Sequence, residues 1–266
     1  MIFGFIGTGN MGGALAKAAA KSLDPKNILL ANKTFAKAQA LAEQLGCKAV
    51  EAETVAREAE LLFLGVKPHM MADLLSDLAP ILASREKPFC LVSMAAGLTM
   101  ADIQRMAGAE YPVIRIMPNT PVSVGQGVIL YDKTKNLPQA MLEEFLWGMD
   151  QAGLLDPLPE KLMDAASAVA GCGPAFAALF MEALADGGVA CGLPRAKAME
   201  YAAKMLLGTA VLALESGQHP GALKDAVCSP GGSTIAGVRA LEQGAFRAAA
   251  MNAVEAAFHR TKELGK

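Results

Sequence analysis

The chain has 266 residues, 53% of them hydrophobic and 19% charged, with a formal net charge of −2. That length suits two domains with a real core, and the composition excludes a disordered chain. The near-neutral balance, without a basic run, excludes nucleic acid and an anionic membrane surface as expected partners.

Five cysteines, Cys47, Cys90, Cys172, Cys191 and Cys228, are odd in number and scattered without a C-x-x-C pair. They predict a reducing, cytoplasmic setting, with neither a disulfide framework nor a metal site. Two apolar stretches imitate membrane signals. Residues 1–16 lack a basic flank and are interrupted by glycines. Residues 165–181 carry Gly171-Cys172-Gly173-Pro174 at mid-length, too short and too broken for a span.

Residues 2–6 read as a short buried strand, followed at once by Gly7-x-Gly9-x-x-Gly12 and by Leu15, Ala16 and Ala19 at helical spacing. Strand, glycine motif and helix in that order form a dinucleotide-binding fingerprint. Gly7 permits the tight turn, Gly9 lets a pyrophosphate reach the backbone, and Gly12 lets helix and strand pack closely. The first N–H groups of the helix then face the phosphate charge. The plainer alternative is a glycine-rich turn that binds nothing.

Further along, strands are predicted at Asn27–Ala31, Cys47–Val50, Leu61–Val66, Phe89–Ser93 and Val113–Met117. Helices are predicted at Thr34–Leu45, Glu53–Ala59, from Pro68 to about residue 78, and before Val113. This alternation predicts an α/β, Rossmann-like, doubly wound parallel sheet. From Glu160 onward no strand is evident. Phe176, Leu179, Phe180, Ala183 and Leu184, then Ala198, Ala202 and Met205, recur at helical steps and predict an all-α domain. The boundary is placed in the Pro157–Pro159 segment, giving domains 1–158 and 159–266. The helical stripes carry more apolar surface than one small layer hides, so self-association as a homodimer is expected.

In an open parallel sheet, ligands bind beyond the carboxyl ends of the strands. The unusual residues all fall there: Gly7–Gly12, Asn32-Lys33-Thr34, Val66-Lys67-Pro68, Ser93–Gly97 and Met117–Pro121. Where an NAD-specific fold offers a carboxylate to the ribose, Asn32-Lys33-Thr34 offers neutral donors and a cation. NADP(H) is therefore preferred, with NAD(H) also allowed. His69, His219 and His259 are isolated, and no Ser-His-Asp or metal motif appears. Reduction of a protonated imine fits that poverty, because it needs mainly orientation and electrostatics. A second glycine loop, Cys228–Thr234, leaves backbone N–H groups bare at a helix start. The N–H groups of Gly231, Gly232 and Ser233 are candidates for an anion clamp. Ordinary Ser/Thr capping is the alternative.

With these motifs assembled, the chain resembles the pyrroline-5-carboxylate reductase family. The resemblance is carried by Phe5-Ile-Gly-Thr-Gly-Asn-Met11, Val66-Lys-Pro68, Arg115-Ile-Met-Pro-Asn-Thr-Pro121, Gly171-Cys-Gly-Pro-Ala175, Glu182-Ala-Leu-Ala-Asp-Gly187, Gly192-Leu-Pro194 and Ser229-Pro-Gly-Gly232. It implies reduction of the small cyclic imine (S)-1-pyrroline-5-carboxylate to L-proline by hydride from NAD(P)H. It also implies a helical domain that dimerises by interlocking and binds substrate between subunits, with dimers able to assemble into rings. The implied cofactor residues are Gly7, Thr8, Gly9, Asn10, Met11, Asn32, Lys33, Thr34, Val66, Lys67, Pro68, Ala95, Ala96, Gly97 and Asn119. The implied substrate residues are Ser229, Gly231, Gly232, Ser233 and Thr234, with the Thr234 hydroxyl as proton donor or holder of a donating water. Gly12-Gly13 and Ser233 depart slightly from the usual pattern. A β-hydroxyacid dehydrogenase would need a lysine on the helix after the Gly171 turn, but Ala175–Leu179 contains none. A non-catalytic NADP(H)-sensing protein would not need the intact Ser229–Thr234 loop.

Overall fold

β1 (Phe3–Ile6), α1 (Asn10–Ser22), β2 (Ile28–Ala31), α2 (Phe35–Leu45), β3 (Lys48–Ala49), α3 (Ala52–Glu58), β4 (Leu61–Leu64), α4 (Met71–Ala83), β5 (Cys90–Ser93), α5 (Met100–Ala107) and β6 (Val113–Pro118) follow one another in the computed structural model, which describes residues 1–264. Three further elements complete the sheet region: β7 (Gly127–Lys133), α6 (Gln139–Met149) and β8 (Gly153–Pro157). The strand order is β3-β2-β1-β4-β5-β6-β7-β8. All neighbours are parallel except β6 and β7, which pair antiparallel. Connection length explains this departure from an all-parallel sheet. Only residues 119–126, with the 3₁₀ segment Thr120–Val124 among them, join β6 to β7, too little chain for a parallel crossover.

Side chains alternate across each strand and divide the core in two. On one face Phe3, Phe5, Leu61 and Phe63 meet Leu15 of α1 and Phe145 of α6. The Phe5 and Phe63 rings stack with centroids 4.4 Å apart. On the other face Leu62 and Leu64 meet Leu75 and Leu78 of α4 and Ile103 of α5. Burying each of these large side chains stabilises the fold by about 1.5–3 kcal/mol, and helices cover both faces. The register sets Ile6 beside Ala31 and Leu64, Leu64 beside Ser93, and Ser93 beside Arg115. The loops after β1, β2, β4 and β5 therefore leave the sheet at one level of one edge.

Contacts divide the chain into two compact units, one of Met1–Cys172 joined by the chain from Ala257 on, the other of Gly173–Ala256. The division lies beyond the 158 boundary because α7 (Glu160–Ala170) stays with the sheet. Arg115, 3% exposed on β6, reaches Glu160 at 3.2 Å and Asp164 at 3.0 Å. Asp132 of β7 accepts a hydrogen bond from the Glu160 N–H at 2.6 Å.

The helices that follow are α8 (Gly173–Ala190), α9 (Arg195–Ser216), α10 (Pro220–Ala226), α11 (Ser233–Gln243) and α12 (Phe246–Leu264). No strand occurs among the described residues after Pro157. α8 packs on α9 closely enough that a Cβ on Gly188 would lie 3.1 Å from that of Ala198. Large apolar side chains stay open on this unit, among them Leu179 at 68% and Leu214 at 84% exposed. By length and composition alone, Glu160–Ala190 would reach across a bilayer. Here the run is broken at Gly171-Cys172 into α7 and α8, and Arg115 pins both acidic residues of α7.

Candidate active site

The three fingerprint glycines prove to have different reasons for being glycine. Gly7 has φ +95°, and a Cβ there would stand 2.7 Å from the carbonyl carbon of Gly65. A Cβ on Gly12 would stand 2.1 Å from the Gly7 carbonyl oxygen. Both are demanded by the protein's own packing. Gly9 is not, since a Cβ there would meet no protein atom within 4 Å. The open space over Gly9 is what a pyrophosphate needs.

α1 starts at Gly9 with no side-chain cap, so its first N–H groups are left to a ligand. The Thr8 hydroxyl, on a residue only 9% exposed, has no hydrogen-bond partner. Bare amides, an orphan hydroxyl and empty space beside Gly9 together fit the phosphates of a dinucleotide. The Met11 side chain, partly buried, packs against the core, and its backbone N–H lies in the uncapped first turn of α1.

A cleft of about 520 Å³ adjoins the fingerprint, lined by Thr8, Gly9, Asn10, Gly13, Ala14, Lys17, Lys37, Leu41, Thr120 and Ser123. Asn32, Lys33 and Thr34 lie at the end of β2 but do not line this cleft. Asn32 donates its amide to the Thr34 carbonyl at 3.2 Å, and Lys33 and Thr34 are exposed. The lysines that do line it, Lys17 and Lys37, escaped the sequence reading. Lys37 stands four residues beyond Lys33, in the first turn of α2, and that spacing is its only signal in the sequence.

Val66, Lys67 and Pro68 follow β4, where Val66 packs against the core and Lys67 stays exposed. Ala95, Ala96 and Gly97 follow β5. The Ala95 N–H donates to the buried Ser93 hydroxyl at 3.4 Å, and Gly97 has φ +78°. Gly65 was also overlooked: it makes room for Gly7 across the gap between β1 and β4.

Asn119 is drawn inward. Its amide donates to the Ala170 carbonyl at 3.0 Å, and its side-chain oxygen accepts from the Val128 N–H at 2.9 Å. It ties the end of β6 to β7 and to the last turn of α7, with both ends of its amide engaged.

The Ser229–Thr234 segment belongs to the second unit. The Gly232 N–H donates to the Ser229 carbonyl at 3.0 Å, closing a turn that needs Gly231 at φ +68°. Gly232 then starts α11, again with no side-chain cap. The Ser/Thr capping alternative is therefore not what is built. Of the three expected clamp amides, that of Gly232 is used inside the turn; those of Gly231 and Ser233, with that of Thr234 in the uncapped first turn of α11, have no hydrogen-bond partner among the described residues. Ser229, Gly231, Ser233 and Thr234 are exposed. His219 caps α10, accepting from the Gly221 N–H at 3.0 Å.

Comparison with known proteins bears on both units. Residues 160–264 match the family model described as pyrroline-5-carboxylate reductase dimerisation. Residues 2–97 match one described as NADP oxidoreductase coenzyme F420-dependent. The chain is 42% identical to pyrroline-5-carboxylate reductase of Pisum sativum, covering 98% of this chain and 95% of the relative. It is 38% identical to that of Escherichia coli K12, covering 99% and 98%. The crystal structure of a pyrroline carboxylate reductase of Plasmodium falciparum with NADP bound superposes with a TM-score of 0.90 at 32% identity, covering 100% of this chain and 98% of that one.

Proposed function

Since the chain belongs to the pyrroline-5-carboxylate reductase family, we infer that it reduces (S)-1-pyrroline-5-carboxylate to L-proline, the final step of proline synthesis. NADP(H) is the preferred dinucleotide and NAD(H) the second choice. The observation that carries the reading is that the two glycine-led helix starts, α1 after Gly9 and α11 after Gly232, both lack a side-chain cap. One suits the phosphates of a dinucleotide and the other the carboxylate of the imine.

When bound, the nicotinamide supplies a hydride to the imine carbon. The chain's own part is placement and protonation. Gly7, Thr8, Gly9, Asn10 and Met11, with Asn32, Lys33 and Thr34, hold the phosphate and ribose end. Val66, Lys67, Pro68, Ala95, Ala96 and Gly97 flank the nicotinamide end, and Asn119 keeps the adjoining rim in place. The Gly231 and Ser233 amides, joined by that of Thr234 and presented by the turn that the Gly232 N–H closes on Ser229, hold the substrate carboxylate. The Thr234 hydroxyl delivers a proton to the ring nitrogen, directly or through a water it holds.

The open apolar side chains of the helical unit, with Leu179, Leu214 and Met251 all more than half exposed, support self-association through that unit. The unit assembles as a homodimer that closes into rings of dimers, in the cytoplasm and without nucleic acid or membrane as partner. Sedimentation of a monomer at micromolar concentration would contradict the dimer. The activity is tested by following NADPH and NADH oxidation with pyrroline-5-carboxylate. 3-Hydroxyisobutyrate with the oxidised dinucleotides serves as the control for β-hydroxyacid chemistry. Imine-dependent oxidation, faster with NADPH, is expected; its absence would overturn the reading.

A further inference from the structure

Lys17 and Lys37 line the same cleft from different helices, and no carboxylate lines it. Lys17 is half-buried and Lys37 exposed. Among the described residues neither forms an ion pair. Two like charges lining one concavity make it electropositive and favour an anion between them. The remaining polar lining suits an anion as well: the orphan Thr8 hydroxyl, Asn10, and the hydroxyl residues Thr120 and Ser123. A volume of about 520 Å³ far exceeds a single water and admits a phosphate with part of the group that carries it.

We propose that Lys17 and Lys37 form a phosphate-monoester site in the cleft between α1, α2 and the Thr120–Val124 segment, adjoining the pyrophosphate position over Gly9. The proposal rests on the reading that this fingerprint binds NADP(H). The phosphate has two possible sources, the 2′-phosphate of the dinucleotide and a free phosphate bound beside it. In the first case Lys17 and Lys37, rather than Lys33, set the preference for NADPH over NADH. Lysine serves here as a compact point charge, which suits a phosphate approached from two sides.

The test is a calorimetric titration of the intact protein, without imine, using NADPH, NADH and inorganic phosphate as separate ligands. Lys17→Met and Lys37→Met keep the apolar stem and remove the charge, and Lys33→Met is the comparison. Each variant removes a charge-assisted hydrogen bond to the phosphate. NADPH should bind about tenfold more weakly or worse, with NADH changed less than about twofold. Lys33→Met should have the smaller effect. If the 2′-phosphate occupies the site, inorganic phosphate competes with NADPH and not with NADH. If free phosphate occupies it, phosphate binds alongside NADPH and its binding disappears in both lysine variants. Unchanged NADPH and phosphate affinity in both variants overturns the proposal, and so does equal weakening of NADPH and NADH. Failure of the wild-type protein to bind either dinucleotide would instead overturn the cofactor reading, while the phosphate titration still tests the lysines.

Discussion

Gly7 and Gly65 lie back to back, so close that a Cβ on Gly65 would stand 2.4 Å from the Gly7 carbonyl oxygen. The contact locks the loop after β1 to the loop after β4, so the phosphate end and the nicotinamide end of the candidate cofactor site hold a fixed spacing. Gly65→Ala must push the two loops apart. A loss of about 1–3 kcal/mol in urea unfolding is expected, together with weaker NADPH binding. Wild-type values for both would show that the loops are not coupled through this contact.

Much of this arrangement is legible in the sequence, and what is not has physical causes. The fingerprint announces itself because strand, glycines and helix occur in one unbroken run. β4 and β5 are legible because strands buried on both faces are continuously apolar. β7 and β8 are not: Gly127–Lys133 mixes Gly, Tyr, Asp and Lys on a half-buried strand, and its antiparallel pairing depends on a short connection rather than on composition. Asn119 reads as a ligand contact because it sits at a strand end. Its partners within the protein, Val128 and Ala170, lie on elements that local sequence does not bring together. Lys17 escapes for the reverse reason, since a lysine inside a regular helix gives no local sign of facing a cleft.

Arg115 is nearly fully buried, with ion pairs to Glu160 and Asp164. Arg115→Met keeps the apolar stem, removes the cation, and leaves both carboxylates facing the vacated place. Breaking a pair of this kind costs about 3 kcal/mol. The urea midpoint should fall accordingly, and α7 should gain amide hydrogen exchange before the rest of the sheet unit. An unchanged midpoint would mean that α7 is held by packing alone.

Asp102 and Thr99 cap α5 reciprocally. The Thr99 hydroxyl accepts from the Asp102 N–H at 3.1 Å, and the Asp102 carboxylate accepts from the Thr99 N–H at 3.0 Å and its hydroxyl at 2.7 Å. The Thr99 hydroxyl first, then the Thr99 N–H and the Arg105 guanidinium, hold the Asp102 carboxyl below its ordinary value of 3.8. A carboxyl depressed in the folded state adds stability above its unfolded pKa and loses it as pH falls through the folded one. Asp102→Asn should therefore lower stability at neutral pH and flatten its decline below about pH 4. Thr99→Ala should cost about 1 kcal/mol at neutral pH. Parallel stability curves for wild type and Asp102→Asn on acidification would contradict the assignment.

The Ser229–Thr234 loop yields two separable outcomes. Gly232→Val places a branched side chain where a Cβ alone would lie 2.4 Å from the Ser229 hydroxyl oxygen. It should abolish imine binding while NADPH affinity stays close to wild type. Thr234→Ala should lower kcat about 100-fold through loss of proton delivery. Normal imine affinity in Gly232→Val would remove the loop from the site, and an undiminished kcat in Thr234→Ala would remove the hydroxyl from the protonation step.

The central claim, hydride transfer to the carbon of a cyclic imine, is tested most directly by isotope tracing. Pyrroline-5-carboxylate is reduced by the wild-type protein with NADPH doubly deuterated at the nicotinamide C4, and the product is examined by mass spectrometry and NMR. The account predicts L-proline heavier by a single deuterium, carried on the ring carbon that was the imine carbon. Proline without deuterium, deuterium at another position, or no proline at all would contradict it.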